Sequence, residues 1–238
     1  MSEIRVDTIS EKSSGNGVAI DSVTLKDGGV TGTAAIVAGG GNGPTLGFQL
    51  KDTSGNAQPR LTNDANNDTV IRPGASGRQI MLANYANNAT ALNVDDSGHV
   101  TMPLQPCFAA VPTSSQTNIT SGTTIAFGTE LHDLNGDFAS NTFTSPVNGK
   151  YQLNVLLRLE QIDTAYSYFR VYLNTSNRQF EWLFDPNFSA DPDYFSVGFS
   201  ICCDMDASDT ATVSWEHGSG SNQVDIAGAS TFSGFLVA

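Results

Sequence analysis

Tyr151-Gln152-Leu153-Asn154-Val155-Leu156-Leu157-Arg158-Leu159 alternates in the rhythm of an extended strand. A period of two puts Tyr151, Leu153, Val155, Leu157 and Leu159 on one face, which must be turned to a core. Working outward, Tyr168-Phe169-Arg170-Val171-Tyr172-Leu173 and Tyr194-Phe195-Ser196-Val197-Gly198-Phe199-Ser200-Ile201 have the same texture. So do Thr210-Ala211-Thr212-Val213-Ser214-Trp215 and Thr231-Phe232-Ser233-Gly234-Phe235-Leu236-Val237. Gly, Asn, Thr and Ser recur too often for an unbroken helical stripe, so the chain is expected to be all-β. Between residues 104 and 238 the pattern predicts roughly eight to ten strands, and therefore a sandwich of two sheets.

Composition marks where this region starts. Of 21 Phe, Trp and Tyr residues, only Phe48 and Tyr85 precede position 104. Aromatic rings supply the largest buried area per residue, so the second half can fill a core that the first half cannot. Charge divides at the same place: residues 104–238 hold 4 Lys and Arg against 14 Asp and Glu, out of a whole-chain net charge of −13. An acidic surface of this kind repels both nucleic acid and an anionic bilayer. No segment has the length and apolarity of a signal peptide or membrane span, so synthesis in a reducing cytoplasm is expected. Cys107, Cys202 and Cys203 do not form the even, spaced set of a disulfide framework. With His99, His132 and His217 distant from them in sequence, they read as buried free thiols. No metal or cofactor is expected.

Ahead of the Pro103-Leu104-Gln105-Pro106 boundary the strands are short. Residues 1–43 hold the runs Ile4-Arg5-Val6 and Val18-Ala19-Ile20 and end in the Gly-rich hinge of residues 31–43. Residues 44–103 offer Leu46-Gly47-Phe48-Gln49-Leu50, Thr69-Val70-Ile71, Gln79-Ile80-Met81-Leu82 and Ala91-Leu92-Asn93-Val94, divided by turns such as Asp95-Asp96-Ser97-Gly98. Runs this short and poor in rings are expected to form a slender shaft in which three chains bury one another's apolar faces.

Spacing in the second half carries a family resemblance. Phe127, Asp133 and Phe138, then Phe143, Gly149, Tyr151, Leu153 and Val155, stand in an order and spacing that resembles the signature of C1q-like domains. Thr231-Phe232-Ser233-Gly234-Phe235-Leu236 is similar to the closing strand of that family, and Phe108 falls in the opening strand. The resemblance implies a ten-stranded jelly roll that assembles as a three-fold symmetric homotrimer. Phe108, Phe127, Phe138, Phe143, Gly149, Tyr151, Leu153, Val155, Phe232, Gly234 and Phe235 are then its fold or trimer core. The run from Ile4 to Val18 resembles the opening of bacteriophage fibre and virion proteins. The segment Asn93-Val94-Asp95-Asp96-Ser97-Gly98-His99-Val100-Thr101-Met102-Pro103 is similar to shaft-to-head junctions of such proteins, especially in phages of cyanobacteria.

These resemblances imply a virion protein with three parts: an attachment segment at 1–43, a β-rich shaft at 44–103 and a jelly-roll head at 104–238. Ile4, Val6, Ile9, Val18 and Ile20 are candidates for docking on another virion protein. Tyr166, Tyr168, Trp182, Phe188 and Tyr194, in aromatic-bearing loops, are candidates for contact with a host-surface glycan or protein. The alternative is a capsid decoration protein that stabilises the head. A glycan depolymerase would need two carboxylates in one cleft, for which the 184–193 loop offers Asp185, Asp191 and Asp193. The same loop fits a solvated Asx turn, since Asp before Pro favours turn initiation, and calcium there or at Asp204-Met205-Asp206 has no specific signal. The chain is therefore expected not to be an enzyme.

Overall fold

The computed structural model describes residues 48–51, 57–63, 69–71, 79–83 and 89–238. The candidate docking residues Ile4, Val6, Ile9, Val18 and Ile20, with the whole of 1–43, lie outside the described residues. The chain divides into two compact units, Met1–Gly74 and Ala75–Ala238.

In the first unit, β1 (Phe48–Lys51), β2 (Ala57–Asn63) and β3 (Thr69–Ile71) form an antiparallel sheet in the order β1-β2-β3. In the second, β4 (Ile80–Ala83), β5 (Thr90–Val94) and β6 (Val100–Thr101) form another. Runs that look too short to make a sheet on their own thus pair within the chain. Leu82 is 62% exposed and Val100 61%, so the second small sheet leaves apolar surface uncovered.

From residue 107 the sandwich begins. Its strands are β7 (Cys107–Val111), β8 (Thr123–Thr124), β9 (Thr129–Asp133), β10 (Phe138–Ala139), β11 (Thr142–Thr144), β12 (Gly149–Glu160), β13 (Tyr168–Thr175), β14 (Gln179–Phe184), β15 (Tyr194–Met205), β16 (Thr210–Gly218), β17 (Asp225–Ile226) and β18 (Thr231–Leu236). One sheet runs β15-β12-β18-β7-β9, with β17 on β12; the other runs β10-β11-β16-β13-β14, with β8 on β16. Two five-strand paths give ten principal strands. Among these ten strands the chain passes between sheets at β9 to β10, β11 to β12, β12 to β13, β14 to β15, β15 to β16 and β16 to β18, the crossing pattern of a jelly roll.

Alternation on β12 works as the sequence predicts. Tyr151, Leu153, Val155, Leu157 and Leu159 are all buried, while Lys150, Leu156 and Arg158 are exposed. Across the core, Phe169, Val171 and Leu173 of β13 and Ala211, Val213 and Trp215 of β16 are fully buried. Phe108, Phe138, Phe143 and Phe232 pack as one ring cluster, with Phe108 stacked on Phe143 at 4.7 Å and on Phe138 at 4.9 Å. Asp133 sets the turn that brings Phe138 there: its carboxylate accepts the backbone N–H groups of Gly136, Asp137 and Phe138 at 3.1, 3.0 and 2.8 Å. Gly136, at φ +76°, supplies the left-handed residue that this turn needs.

Candidate functional site: an open aromatic edge and an uncharged face

The two sides of the sandwich are unequal. On one side Phe108, Phe138 and Phe143 are at most 3% exposed. On the other, the edge strands β14 and β15 stand side by side without closing. Inward-pointing Phe180, Trp182 and Phe184 of β14, and Phe195, Phe199 and Ile201 of β15, are only half-buried. Four rings at this edge touch in sequence: Trp182 lies parallel to Phe184 at 5.9 Å, and Phe184 meets Phe195 at 5.1 Å and Phe188 at 5.8 Å. Edge strands also present unpaired backbone groups. These side chains have the alternation of core residues but are less covered than those at the opposite side of the sandwich.

The outer face of the β15-β12-β18-β7 sheet has a different character. Register aligns Cys202, Gln152, Phe235 and Cys107 in one row, Ser200, Asn154, Ser233 and Ala109 in the next, and Gly198, Leu156 and Thr231 in a third. None of these side chains carries a formal charge, although the region's acids outnumber its bases 14 to 4. Leu156 is 47% exposed and Phe235 44%. Asn154 sits at the centre, accepting from Ser200 Oγ at 2.8 Å. Charge returns only at the margins, in the pairs Lys150–Asp204 at 2.6 Å and Arg158–Glu160 at 2.7 Å. The outer face of the second sheet is charged in its middle: Arg170 pairs with Glu181 at 3.0 Å and Glu216 at 2.5 Å, between the rings of Tyr168 and Tyr172. The hydrogen bond from Arg170 holds the Glu216 carboxyl below the usual carboxylate range.

The aromatic contact candidates do not gather into one patch. Tyr166 is 2% exposed, stacked on His217 at 4.2 Å, with its hydroxyl donating to the Ser221 carbonyl at 2.8 Å. Burial pushes that hydroxyl up to about 12. Tyr166 is thus a core residue, because the loop between β12 and β13 folds its ring inward. Tyr168 is half-buried, its face taken by Arg170. Trp182 lies on β14 and not in a loop; with Phe188 it belongs to the open edge. Tyr194 is 67% exposed, with the Arg158 guanidinium 4.8 Å above its ring. Among the fold candidates, Phe108, Phe127, Phe138, Phe143, Tyr151, Leu153, Val155 and Phe232 are buried, Gly234 is buried and Gly149 half-buried. Phe235 leaves the single chain's core and faces outward. The thiols also divide: Cys203 is buried, Cys202 is exposed, and Cys107 is half-buried with His132 Nε2 3.5 Å from its sulfur. The expectation of buried thiols holds for Cys203 alone, because neighbouring residues on a strand face opposite sides.

The acids of the 184–193 loop show what holds it. Asp191 accepts from the Thr164 N–H at 2.9 Å and from Gln223 Nε2 at 2.8 Å, one bond to each oxygen. The Thr164 backbone bond, reinforced by Gln223, holds its carboxyl below the usual range, opposite to what a general acid requires. Asp185 and Asp193 are exposed. Asp163 accepts from the N–H of Ala165 at 2.8 Å, and from the N–H and Oγ of Ser221 at 2.6 and 2.8 Å. Those bonds, the Ala165 one first, lower its pKa. A lowered carboxylate contributes stability that is complete above its unfolded-state pKa and is lost as pH falls through the folded one. Asp163→Asn should therefore lower the urea midpoint at neutral pH, and the variant and parent should converge in acid. A constant gap down to pH 2 would show that the charge plays no part.

A scan against known protein families and a search of curated proteins found no match. Among solved structures the chain is similar to the globular domain of zebrafish complement 1qA protein, at 16% identity and TM-score 0.44, over 56% of this chain and 98% of that one. It is also similar to murine APRIL, at 10% identity and TM-score 0.41, over 56% of this chain and 99% of that one.

Proposed function

We propose that this chain is a trimeric structural protein of a phage particle, a short fibre whose jelly-roll head self-associates and meets the host surface. The observation that carries the self-association is the presence of a half-covered aromatic edge and an uncharged face on the same domain. The two patches differ in shape and content, so a contact between them is heterologous: the edge of one copy covers the face of the next. A heterologous contact that closes gives a ring, and the C1q-like spacing from Phe127 to Val155 favours three members. Depletion of charge is what the buried centre of an interface requires. It matters more here because each acidic domain repels its copies everywhere else.

The virion part of the proposal is supported by the resemblances at Ile4 to Val18 and Asn93 to Pro103. In it, residues 1–43 dock on another virion protein, 44–103 form the shaft and 104–238 the head. Adsorption to a host glycan or protein would then fall to surfaces that the ring leaves outside. The alternative, a decoration protein at three-fold positions of the capsid, uses the same trimer in a different place. Catalysis is not proposed, since Asp191 is committed to holding loops together.

Light scattering of the purified chain should give about three times its 25.1 kDa mass. Quantitative mass spectrometry of purified particles should find it in tens of copies, the order expected for a fibre, where a decoration would number in the hundreds. A monomer in solution overturns the trimer; absence from particles overturns the virion assignment; a ratio to the major capsid protein of about one third or more moves it to the capsid.

A further inference from the structure

At the end of the open edge furthest from Phe188 lies a cleft of about 240 Å³, between the β13–β14 hairpin and the end of β15. Its wall includes Asn177, Arg178, Phe180, Asp204 and Asp206. Three of the four Lys and Arg side chains between residues 104 and 238 are in ion pairs: Lys150, Arg158 and Arg170. Among the described residues Arg178 has no ion-pair partner, and it is the one that lines the cleft. Asn177 donates its amide N–H to Asp209 at 2.5 Å, which leaves its oxygen as an acceptor. Lys150 engages one oxygen of Asp204, leaving the other.

This lining excludes several ligand classes. An anion would meet Asp204 and Asp206, a cation would meet Arg178, and an apolar molecule would displace water from these exposed groups without replacing its hydrogen bonds. What satisfies the set is a molecule whose polar groups both donate and accept, with an apolar face to lay on the Phe180 ring. We propose that the cleft is a subsite for a neutral pyranose. Ring hydroxyls would donate to Asp204 and Asp206 and accept from Arg178, and the C–H face would cover Phe180. The volume falls below the roughly 300–1,000 Å³ of a drug-sized site, so it takes one sugar ring. The wall comes entirely from one chain, so the subsite does not need the virion assignment; because Phe180 ends the open edge and Cys202, also in the wall, borders the uncharged face, it does require that the ring of the proposed function leave this end uncovered.

Saturation-transfer NMR on the full chain tests this with the methyl glycosides of glucose, galactose, mannose and N-acetylglucosamine. Methyl glucuronoside and glucosamine serve as anionic and cationic comparisons. At least one neutral glycoside should receive saturation, strongest on the ring C–H face. Arg178→Ala combined with Asp206→Ala, both exposed positions, should reduce it at least tenfold with the circular dichroism unchanged. The proposal is overturned if no neutral glycoside receives saturation, if the double variant leaves the signal intact, or if either charged probe binds tenfold better. Light scattering on the same sample reports the trimer independently.

Discussion

Phe108→Ala should cost the sandwich about 3–5 kcal/mol, the range for truncating a fully buried Phe. Phe108 is 1% exposed and touches rings from three strands: Phe138 of β10, Phe143 of β11 and Phe232 of β18, the last edge-on at 5.1 Å. Rings held by different strands cannot all move into the space left, so the cavity term is close to full. Against a total of about 5–15 kcal/mol for a typical domain, such a loss brings the variant near its unfolding midpoint. The same site predicts a coupling. A Cβ on Gly234 would stand 2.8 Å from Phe108 Cε1, 2.5 Å from Leu153 Cδ2 and 3.1 Å from the Gln152 carbonyl oxygen. Gly234→Ala alone overpacks the core by about 1–3 kcal/mol. With Phe108 already truncated, one of the obstructing atoms is gone, so the double variant should be less destabilised than the two singles added together. Urea unfolding of the four proteins measures both effects. A Phe108→Ala loss below about 1 kcal/mol would mean that the ring cluster is not where the two sheets are fastened.

Leu156→Asp should convert the proposed trimer to monomers. Leu156 stands beside Gly198 and Thr231 on the uncharged face, and in the ring each copy contributes one such face. The substitution therefore buries a carboxylate at all three contacts, and the cationic side chain in the next row, Arg158, is already paired with Glu160 at 2.7 Å. An unpaired buried charge costs several kcal/mol, and three-fold repetition multiplies the loss. Leu183→Asp is the comparison: Leu183 is 53% exposed on the outer face of the other sheet, beside Arg170 in the register, and should leave the mass unchanged. Sedimentation at micromolar concentration reads the outcome. A Leu156→Asp protein that stays trimeric would place the subunit contact elsewhere, and a Leu183→Asp protein that dissociates would place it on the second sheet.

Most of the sandwich was legible because its strands bury one face and expose the other. The alternation from Tyr151 to Leu159 encodes that arrangement directly, and the spacing of Phe127, Asp133 and Phe138 encodes the turn that Asp133 closes. Legibility fails where a side chain's surroundings are set by distant strands. Tyr166 and Tyr194 both read as loop aromatics, yet one is sealed under His217 and the other stands in solvent, a difference decided by the hydrogen bonds of Asp163 and Ser221 across 58 positions. Trp182 reads as loop because β14 is short and followed at once by Asp185-Pro186. The uncharged face was not legible at all, since Cys107, Gln152, Ser200 and Ser233 become neighbours only when four separated strands are laid side by side. Cys202 and Cys203 show the finer limit: adjacency in sequence says that they face opposite ways, but not which one faces water.

The position of β18 bears on how the domain comes to fold. It lies between β12 and β7 in the middle of its sheet, joined to both, although it follows the other strands of the sandwich in the sequence. Until it emerges from the ribosome, β7 and β12 each lack the strand that joins them, and Phe232 is missing from the ring cluster. The pairing that closes the sheet joins residues such as Phe108 and Gly234, more than a hundred positions apart, and contacts of that span make folding slow. The nascent sandwich therefore waits, with its aromatic edge exposed, for a six-residue strand to arrive. During that wait a second nascent chain on the same messenger could supply the missing surface, so assembly and folding would compete from the moment of synthesis.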